Sequence, residues 1–460
     1  MKKLNILFTC SLPLTGMNAQ SSNQEPPNIL IILADDAGYA DFGFMGSDDI
    51  KTPCLDELAA DGKVFTDAHV AATVSSPSRA MLMTGRYGQR FGYECNTSAK
   101  GDGLPIDEEI LPALLKRHDY RTACIGKWHL GALPFQHPNK KGFDTFYGLI
   151  GGSRSYYYNA SRSDADGKLS QYQYNGHPLS FEGYFTDELS ERAKQVVSDG
   201  DRPFMMYLSY TAPHSPNQAA DKDLSLFSDS PRQVYAAMLY ALDRGVGEVV
   251  KELKRTGKYE NTLIFFLSDN GGSTTNNSSN YPLKGFKGNK FEGGHRIPFF
   301  ITWGNKFKSK EPFKGLTSSL DIFATVIDAV NINKKELNKP IDGVSLIPYL
   351  IGEEKGNPHK SLFWRKLDSR AIRSGDYKLI ITRGVDSVMY NLADQIDEER
   401  NIIEKEPKQA LLLMNQLSEW EKTHCVPPLW KEGSWSGITN GYHKRLMNNQ
   451  IKSATDLKKK

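Results

Sequence analysis

Apolar runs that end in polar side chains recur along the first 345 residues of this 460-residue chain. Residues 28–34 (NILIILA) and 261–267 (NTLIFFL) are typical of strands buried on both faces of a sheet, because a half-buried strand would alternate apolar and polar positions. Further strands are predicted at 120–125, 203–210 and 298–303, and helices from Thr52 and at 233–254 and 318–331. This alternation predicts an α/β protein with a large, mostly parallel sheet sandwiched by helices.

The pattern changes beyond residue 355. Short strand candidates separated by turn residues predict a small antiparallel sheet, at 362–364, 371–373, 378–382 and 387–390. A helix is predicted at 408–421. We therefore expect a large domain over residues 26–350, a C-terminal α+β subdomain over 355–446, and a polar tail over 447–460.

The N-terminus has the features of an export signal. Lys2 and Lys3 precede a short apolar run, residues 4–14, and the small residue Ala19 follows. The run is too short to span a membrane, so we expect no transmembrane segment and a signal peptide over residues 1–19. Cys10 leaves a lipoprotein open, although the residues before it fit a lipid-attachment site poorly. Either alternative predicts an exported protein, periplasmic or at the cell surface.

The net charge and the cysteine content narrow the possible functional classes of the protein further. The formal net charge is +3, which provides no broad basic field for nucleic acid, so no nucleic-acid partner is expected. The cysteines beyond the leader are Cys54, Cys95, Cys124 and Cys425, and their spacing fits no zinc pattern. Cys124 falls in a predicted strand, where we expect a small buried hydrophobe.

Residues 75–86 (SSPSRAMLMTGR) combine several features of an anion site. Proline is favoured at the first position of a helix and serine just before it, so Pro77 is predicted to open a helix that Ser76 caps. Ser75 then lies at the helix mouth, where free N–H groups favour an anion. Arg79, on the first turn, offers a forked donor for a tetrahedral oxyanion. The stretch indicates sulfate or phosphate chemistry.

The same stretch resembles the signature of the type I sulfatases of the alkaline phosphatase superfamily. That signature reads Cys or Ser, any residue, Pro, Ser, Arg, three residues, a large apolar residue, Thr and Gly, and every fixed position is matched here. The resemblance implies an alkaline phosphatase-like fold and oxidation of Ser75 to formylglycine (3-oxoalanine), whose hydrate is the nucleophile. Serine-type sites in the family are matured by radical enzymes of anaerobic bacteria, which implies such a maturase as a partner and a bacterial source.

Two pairs of oxygen donors follow the two apolar strands described first: Asp35 with Asp36, and Asp269 with Asn270. Adjacent carboxylates after a buried strand are costly unless a cation pairs with them, and ligand sites of open α/β sheets lie at such strand ends. Hard oxygen donors suit Ca²⁺ or Mg²⁺. The resemblance implies that these four residues and residue 75 hold one Ca²⁺ ion, with Mg²⁺ as the less favoured alternative.

Two further motifs that resemble the family contain lysine and histidine residues. Residues 126–131 (GKWHLG) match a family motif, which implies that Lys127 contacts the sulfate and that His129 takes a proton from the formylglycine hydrate. His214, in residues 212–214 (APH), is implied to face the leaving oxygen.

A third block, residues 282–298, also resembles the family. Lys287 aligns with a sulfate-binding lysine, whereas Lys284 stands where arginine is common and is not expected to be catalytic. We expect the part from Glu292 to Pro298 to be structural. The implied mechanism is attack on sulfur by oxidised Ser75 while Arg79, Lys127 and Lys287 stabilise the sulfate oxygens, His214 protonates the alcohol and His129 drives sulfate release.

Family analogy further implies a sulfated glycan as substrate, and we favour galactose or N-acetylgalactosamine units. Arg154, in the aromatic and polar stretch 151–158 (GGSRSYYY), and Arg365 are candidate sugar-binding residues. Two alternatives stay open. One is a phosphate-ester or phosphonate hydrolase of the same superfamily, and the other is a catalytically silent glycan-binding homologue in which Ser75 stays unoxidised.

Overall fold

The computed structural model describes residues 25–458, except 98–99, 101, 159–170, 305, 308–310 and 432–433. The predicted signal peptide therefore lies outside the described residues. The strands are β1 (Asn28–Ala34), β2 (Lys63–Phe65), β3 (Ala68–His69), β4 (Arg121–Lys127), β5 (Thr145–Leu149), β6 (Tyr172–Tyr174), β7 (His177–Pro178), β8 (Phe204–Ser209), β9 (Thr262–Ser268), β10 (Phe299–Thr302), β11 (Thr317–Ser318), β12 (Ser361–Lys366), β13 (Ser369–Ser374), β14 (Tyr377–Thr382) and β15 (Val388–Asn391). The helices are α1 (Pro53–Ala60), α2 (Ser75–Thr84), α3 (Leu111–Arg117), α4 (Phe185–Ser198), α5 (Asp221–Leu224), α6 (Gln233–Arg255), α7 (Glu292–His295), α8 (Asp321–Ala329), α9 (Ile347–Leu350), α10 (Pro407–His424) and α11 (Ser434–Met447).

The large sheet is mixed, with a parallel centre. Its nine strands run in the order β2-β10-β9-β1-β8-β4-β5-β6-β7. The five central strands, β9 to β5, are parallel, as predicted, whereas both edges are antiparallel. The segment between β9 and β10 contains only the four-residue helix α7 and supplies loops to the site instead of a crossover helix, so β10 returns antiparallel.

Helices cover both faces of this sheet. Along β1, Leu30 and Ile32 pack in one core with helices α1, α4 and α6, whereas Ile29 and Ile31 pack in a second core with helices α2, α3 and α8. This strict alternation explains the continuous apolar run, since both faces of the strand are buried. Cys124 on β4 is fully buried, as predicted.

The C-terminal subdomain is a four-stranded antiparallel sheet in the order β12-β13-β14-β15. Helix α10 packs on one face, and the other face packs against Phe286 and Phe291 of the large domain. The predicted helix at 408–421 is confirmed as α10, whereas α11 was not predicted. The segment predicted as a polar tail, residues 447–460, packs on this subdomain through Ile451 and Ala454.

Within the described part of the chain, none of the helices has the combination of length and apolar character that crossing a bilayer requires.

Candidate active site

The carboxyl ends of the central strands β1 and β9 bring the predicted metal ligands together. The two strands pair in parallel register along their whole length, so Asp35 and Asp269 follow at the same edge of the sheet. The Asp36 N–H donates a hydrogen bond of 3.1 Å to Asp269 Oδ1, and Asn270 Nδ2 donates one of 2.7 Å to Asp36 Oδ1. These four residues, called the carboxylate cluster below, are all buried.

Ser75 contacts this cluster from the start of helix α2. Its hydroxyl lies 3.1 Å from Asn270 Oδ1 and 3.4 Å from Asp35 Oδ1. The helix begins at Ser75 itself, after Val74, and its end has no side-chain cap. The predicted capping role of Ser76 is therefore wrong. The whole helix is buried, and tertiary hydrogen bonds engage the Ser76 hydroxyl in place of a local cap.

Each of the three carboxylates has a different cationic side chain as its nearest partner. Arg79 Nη2 lies 2.8 Å from Asp269 Oδ2, and Lys127 Nζ lies 2.6 Å from Asp35 Oδ2. Lys287 Nζ lies 2.6 Å from Asp36 Oδ1. The predicted sulfate-binding residues and the predicted metal ligands thus meet at one edge of the sheet. The structure ties Lys284 elsewhere, through Nζ to the Glu398 carbonyl at 3.0 Å and to Asn449 Oδ1 at 2.6 Å.

The cluster fits a hard divalent cation. Burial and the like charges of Asp269 and Asp36 raise the pKa of Asp35 to about 7 despite the nearby Lys127 and Arg79, because the buried surroundings disfavour its charged form. Three buried carboxylates, an amide oxygen and a hydroxyl form an all-oxygen donor set of the kind Ca²⁺ and Mg²⁺ take. This donor chemistry favours such an ion here.

His214 lies beside the same cluster. Its Nδ1–H donates to the Ser215 carbonyl at 2.6 Å, which leaves Nε2 unprotonated in the neutral ring and 3.5 Å from Asp36 Oδ2. Burial lowers the pKa of His214 to about 4, with Lys287 and Lys127 acting in the same direction and Asp36 opposing them. The ring is therefore neutral near pH 7.

His129 sits in a left-handed backbone conformation, with φ 57°, and Asp36 does so too, with φ 65°. Such conformations cost about 1–3 kcal/mol for residues other than glycine, and the surrounding structure must over-determine them. Burial lowers the pKa of His129 well below its ordinary value, and the charges of Lys127, Arg79 and Lys287 lower it further. The ring therefore lies close enough to these three cations for their charges to act on it.

The two candidate sugar-binding arginines differ in position. Arg154 lies over the Tyr172 ring at 4.9 Å, in a loop whose Tyr156 hydroxyl donates to the carbonyl of Thr211, just before His214. That loop therefore borders the site. Arg365 instead pairs with Glu94, with Nη2 2.6 Å from Oε1, and so ties the C-terminal sheet to the large domain.

Sequence analysis missed the support of Arg79. Its Nη1 donates to Ser209 Oγ at 2.5 Å and to the Tyr207 hydroxyl at 3.3 Å, both on strand β8. The signal was two polar side chains, two residues apart, on a strand whose other residues are almost all apolar.

A second buried cluster joins the two domains. His69, Glu292 and His295 have ligand atoms close enough for a metal, but Lys378 Nζ already lies 2.8 Å from Glu292 Oε1 and 3.1 Å from His295 Nε2. Arg373 lies 3.5 Å from the same glutamate. The protein's own cations therefore fill this site. The block from Glu292 to Pro298 thus holds buried ion pairs, in line with the structural part expected for it.

This edge of the sheet, with its carboxylates, cations and histidines, suits a hydrolase of sulfate or phosphate esters. Comparison with known proteins decides between them, because a model of the Sulfatase family matches residues 27–332. The chain belongs to the sulfatase family, and it is a sulfuric ester hydrolase with an alkaline phosphatase-like fold.

Individual relatives agree with this assignment. The uncharacterized sulfatase YdeN of Escherichia coli (strain K12) is 34% identical over 420 residues, which cover 79% of this chain and 72% of that protein. The N-acetylgalactosamine-6-sulfatase of Canis lupus familiaris is 32% identical over 391 residues, covering 80% and 74%. The crystal structure of Ps i-CgsB in complex with k-i-k-neocarrahexaose superposes with a TM-score of 0.84 at 35% identity, covering 90% of this chain and 97% of that one.

Proposed function

We propose that this protein is an exported bacterial carbohydrate sulfatase that works through a formylglycine made from Ser75 and one Ca²⁺ ion. The observation that carries the proposal is the position of the Ser75 hydroxyl, 3.1 Å and 3.4 Å from two oxygen donors of the carboxylate cluster. When present, the ion and the formylglycine supply charge compensation for the sulfate and the nucleophilic hydroxyl. The cluster and residue 75 would hold the ion.

The remaining residues act on the sulfate group and the leaving alcohol. Arg79, Lys127 and Lys287 bind the sulfate oxygens and stabilise the charge that develops on them. His214 presents Nε2 to the site and holds the proton that the leaving alcohol takes up. A bound sulfate adds negative charge beside this ring, which raises its pKa towards the value that a proton donor needs. His129 takes the proton of the hydroxyl on residue 75 when sulfate is released.

We further propose a sulfated galactose or N-acetylgalactosamine unit as substrate. Two similarities support this choice, since one relative is an N-acetylgalactosamine-6-sulfatase and one similar structure is a complex with k-i-k-neocarrahexaose. The loop that carries Arg154 borders His214 and would contact the sugar, whereas the ion pair of Arg365 with Glu94 makes a direct sugar contact a weaker proposal. The maturase partner and a periplasmic or cell-surface location follow from Ser75 and the N-terminal signal.

The test begins with the mass of the peptide that spans residue 75, isolated from a host that supplies the radical maturase. Formylglycine removes two hydrogens from serine. Matured protein should then release sulfate from defined galactose and N-acetylgalactosamine sulfates and from an aryl sulfate, with no comparable turnover of the aryl phosphate. Ser75→Ala should fold with an unchanged melting temperature and show no turnover. Retained turnover in Ser75→Ala, or tight glycan binding by wild-type protein with unmodified serine, would refute the proposal.

A further inference from the structure

A hydrogen-bonded chain connects helix α2 to the catalytic histidine loop. The hydroxyl of Ser76, the residue next to the nucleophile position, lies 2.6 Å from the His129 carbonyl and 2.6 Å from the Tyr93 hydroxyl. Ser76 and Tyr93 are fully buried. The proposed function assigns no role to either side chain.

The direction of this chain follows from its members. A carbonyl oxygen only accepts, so the Ser76 hydroxyl must donate to His129. Its oxygen then accepts from the Tyr93 hydroxyl, which keeps its proton because burial raises the pKa of Tyr93 far above its ordinary value. The Tyr93 ring is itself held edge-on against Trp430, with ring centroids 5.0 Å apart. A rigid aromatic residue thus orients a serine hydroxyl, which in turn holds a main-chain carbonyl.

The held carbonyl belongs to a residue with unfavourable backbone geometry. His129 has φ 57°, and its N–H donates to the Ile150 carbonyl at 2.9 Å. Both main-chain polar groups of His129 are therefore fixed, one by strand β5's continuation and one by Ser76. Loss of the Ser76 hydroxyl would leave this partly buried carbonyl without its donor, which removes support from a strained conformation.

The imidazole depends on that main chain for its position. Nδ1 of His129 is buried and has no hydrogen-bond partner among the described residues. Gly152 packs against the opposite nitrogen, since a Cβ at this glycine would lie 2.9 Å from Nε2. With no polar contact at Nδ1, the described surroundings orient the ring through the backbone conformation and steric packing.

We propose that Ser76 and Tyr93 are positioning residues that fix the left-handed main chain of His129 and thereby the place of its imidazole among the cations of the site. The proposal rests on the proposed function for its kinetic consequence only. Its structural consequence applies equally to protein with unmodified Ser75.

The chain contains a matched control for both side chains. Ser190, on helix α4, is buried, lies 2.9 Å from the Thr186 carbonyl and lies 2.8 Å from the Tyr210 hydroxyl. Ser190→Ala therefore removes a serine hydroxyl that has the same two kinds of partner, a main-chain carbonyl and a tyrosine hydroxyl, but does not contact His129. Tyr210→Phe is the corresponding control for Tyr93→Phe.

The first experiment observes the ring directly. Full-length protein with unmodified Ser75 is labelled with ¹⁵N in its histidine rings, and the signals lost in His129→Ala identify His129. We expect Ser76→Ala to shift or broaden these signals, Tyr93→Phe to do so less, and Ser76→Thr to restore them, whereas Ser190→Ala leaves them unchanged. Unmoved His129 signals in Ser76→Ala would overturn the proposal, whatever the activity of the protein.

The second experiment measures turnover of an aryl sulfate by matured protein, with rates divided by the formylglycine content of each variant. We expect Ser76→Ala to lower kcat about tenfold or more and to lower KM in proportion, with kcat/KM changed less than about twofold, because the misplaced group acts after the alcohol has left. Ser76→Thr should recover most of kcat. Equal kcat values for Ser76→Ala and Ser190→Ala would overturn the catalytic part. If wild-type protein turned over no sulfate ester, the proposed function would fail, and the ring signals alone would decide this inference.

Discussion

Replacing Lys378 with methionine tests the buried ion pairs that join the two domains. Lys378 Nζ lies 2.8 Å from Glu292 Oε1 and 2.9 Å from Glu398 Oε1, and all three side chains are fully buried. Methionine has a similar length and no charge. The substitution therefore removes the cation and leaves two carboxylates in the interior, where Arg296 and Arg373 are the remaining arginine or lysine partners of Glu292 among the described residues.

The expected loss is large because removing one partner of a buried pair leaves the other unpaired. Such changes cost about 3–5 kcal/mol. Unfolding entropy near the midpoint is about 2.1 cal/mol/K per residue, or roughly 0.9 kcal/mol/K for a folded unit of roughly 430 residues. We therefore expect Lys378→Met to lower the melting temperature by about 3–6 °C at pH 8.

The pH dependence of this loss of stability provides a second, independent test. Burial raises the pKa of Glu398 to about 7 even with Lys378 present, and Glu292 adds to the rise. Without Lys378 the folded-state pKa of Glu398 rises further above its unfolded value, so the folded state binds the extra proton and stability falls as pH rises. The deficit of Lys378→Met should accordingly shrink by up to about 1.4 kcal/mol between pH 8 and pH 7, and little further below pH 7, where Glu398 of the wild-type protein is protonated as well.

The assay is a thermal melt followed by tryptophan fluorescence at both pH values. Lys452→Met is the control, since Lys452 pairs with Glu399 at the exposed surface and should leave the melting temperature within about 1 °C. A change for Lys378→Met no greater than for Lys452→Met, or a deficit that grows on acidification, would refute the reasoning.

Three further predictions follow from the site and from one buried histidine. Ca²⁺ at about 100 times its Kd should stabilise the protein by about 2.7 kcal/mol and raise the melting temperature by about 3 °C, and Asp269→Asn should abolish this shift in the same melt. Lys287→Met should lower kcat/KM for an aryl sulfate about 10²–10³-fold while Lys284→Met changes it less than about threefold, and equal losses would contradict the assignment. Burial lowers the pKa of His443 to about 3, so stability held above pH 6.5 is lost as the pH falls below it, by about 2 kcal/mol at pH 5. Melts of wild-type protein should show this loss, and melts of His443→Gln should show a flatter dependence.

The local residue pattern could predict those parts of the fold whose structure depends on a single segment of the chain. A doubly buried strand is apolar at every position, and β1 and β9 were predictable for that reason. The position of Asp35 and Asp269 at one sheet edge then follows from parallel pairing. The reversed edge strands β6 and β10 were not predictable, because strand direction depends on how the connecting segments pack rather than on the strand itself.

Long-range partners explain the remaining differences. Ser76 has the sequence context of a cap, but its hydroxyl bonds to Tyr93 and to the His129 carbonyl, which are 17 and 53 residues away. The segment after Met447 is mostly polar, yet Ile451 is buried. In both places a tertiary contact overrides a local preference, and no single segment carries the information.

The charge balance of the site suits the joint binding of a divalent cation and a sulfate group. Three carboxylates face three cations, and the lysines proposed to bind sulfate contact the same carboxylates that are proposed to bind the metal. A divalent cation bound by those carboxylates would compete with Lys127 and Lys287 for them. The site would then gain a net positive charge and two available ammonium groups. Because such an exchange is reciprocal, a bound sulfate group that draws the lysines away would leave the carboxylates to the metal, and each ligand would strengthen the binding of the other.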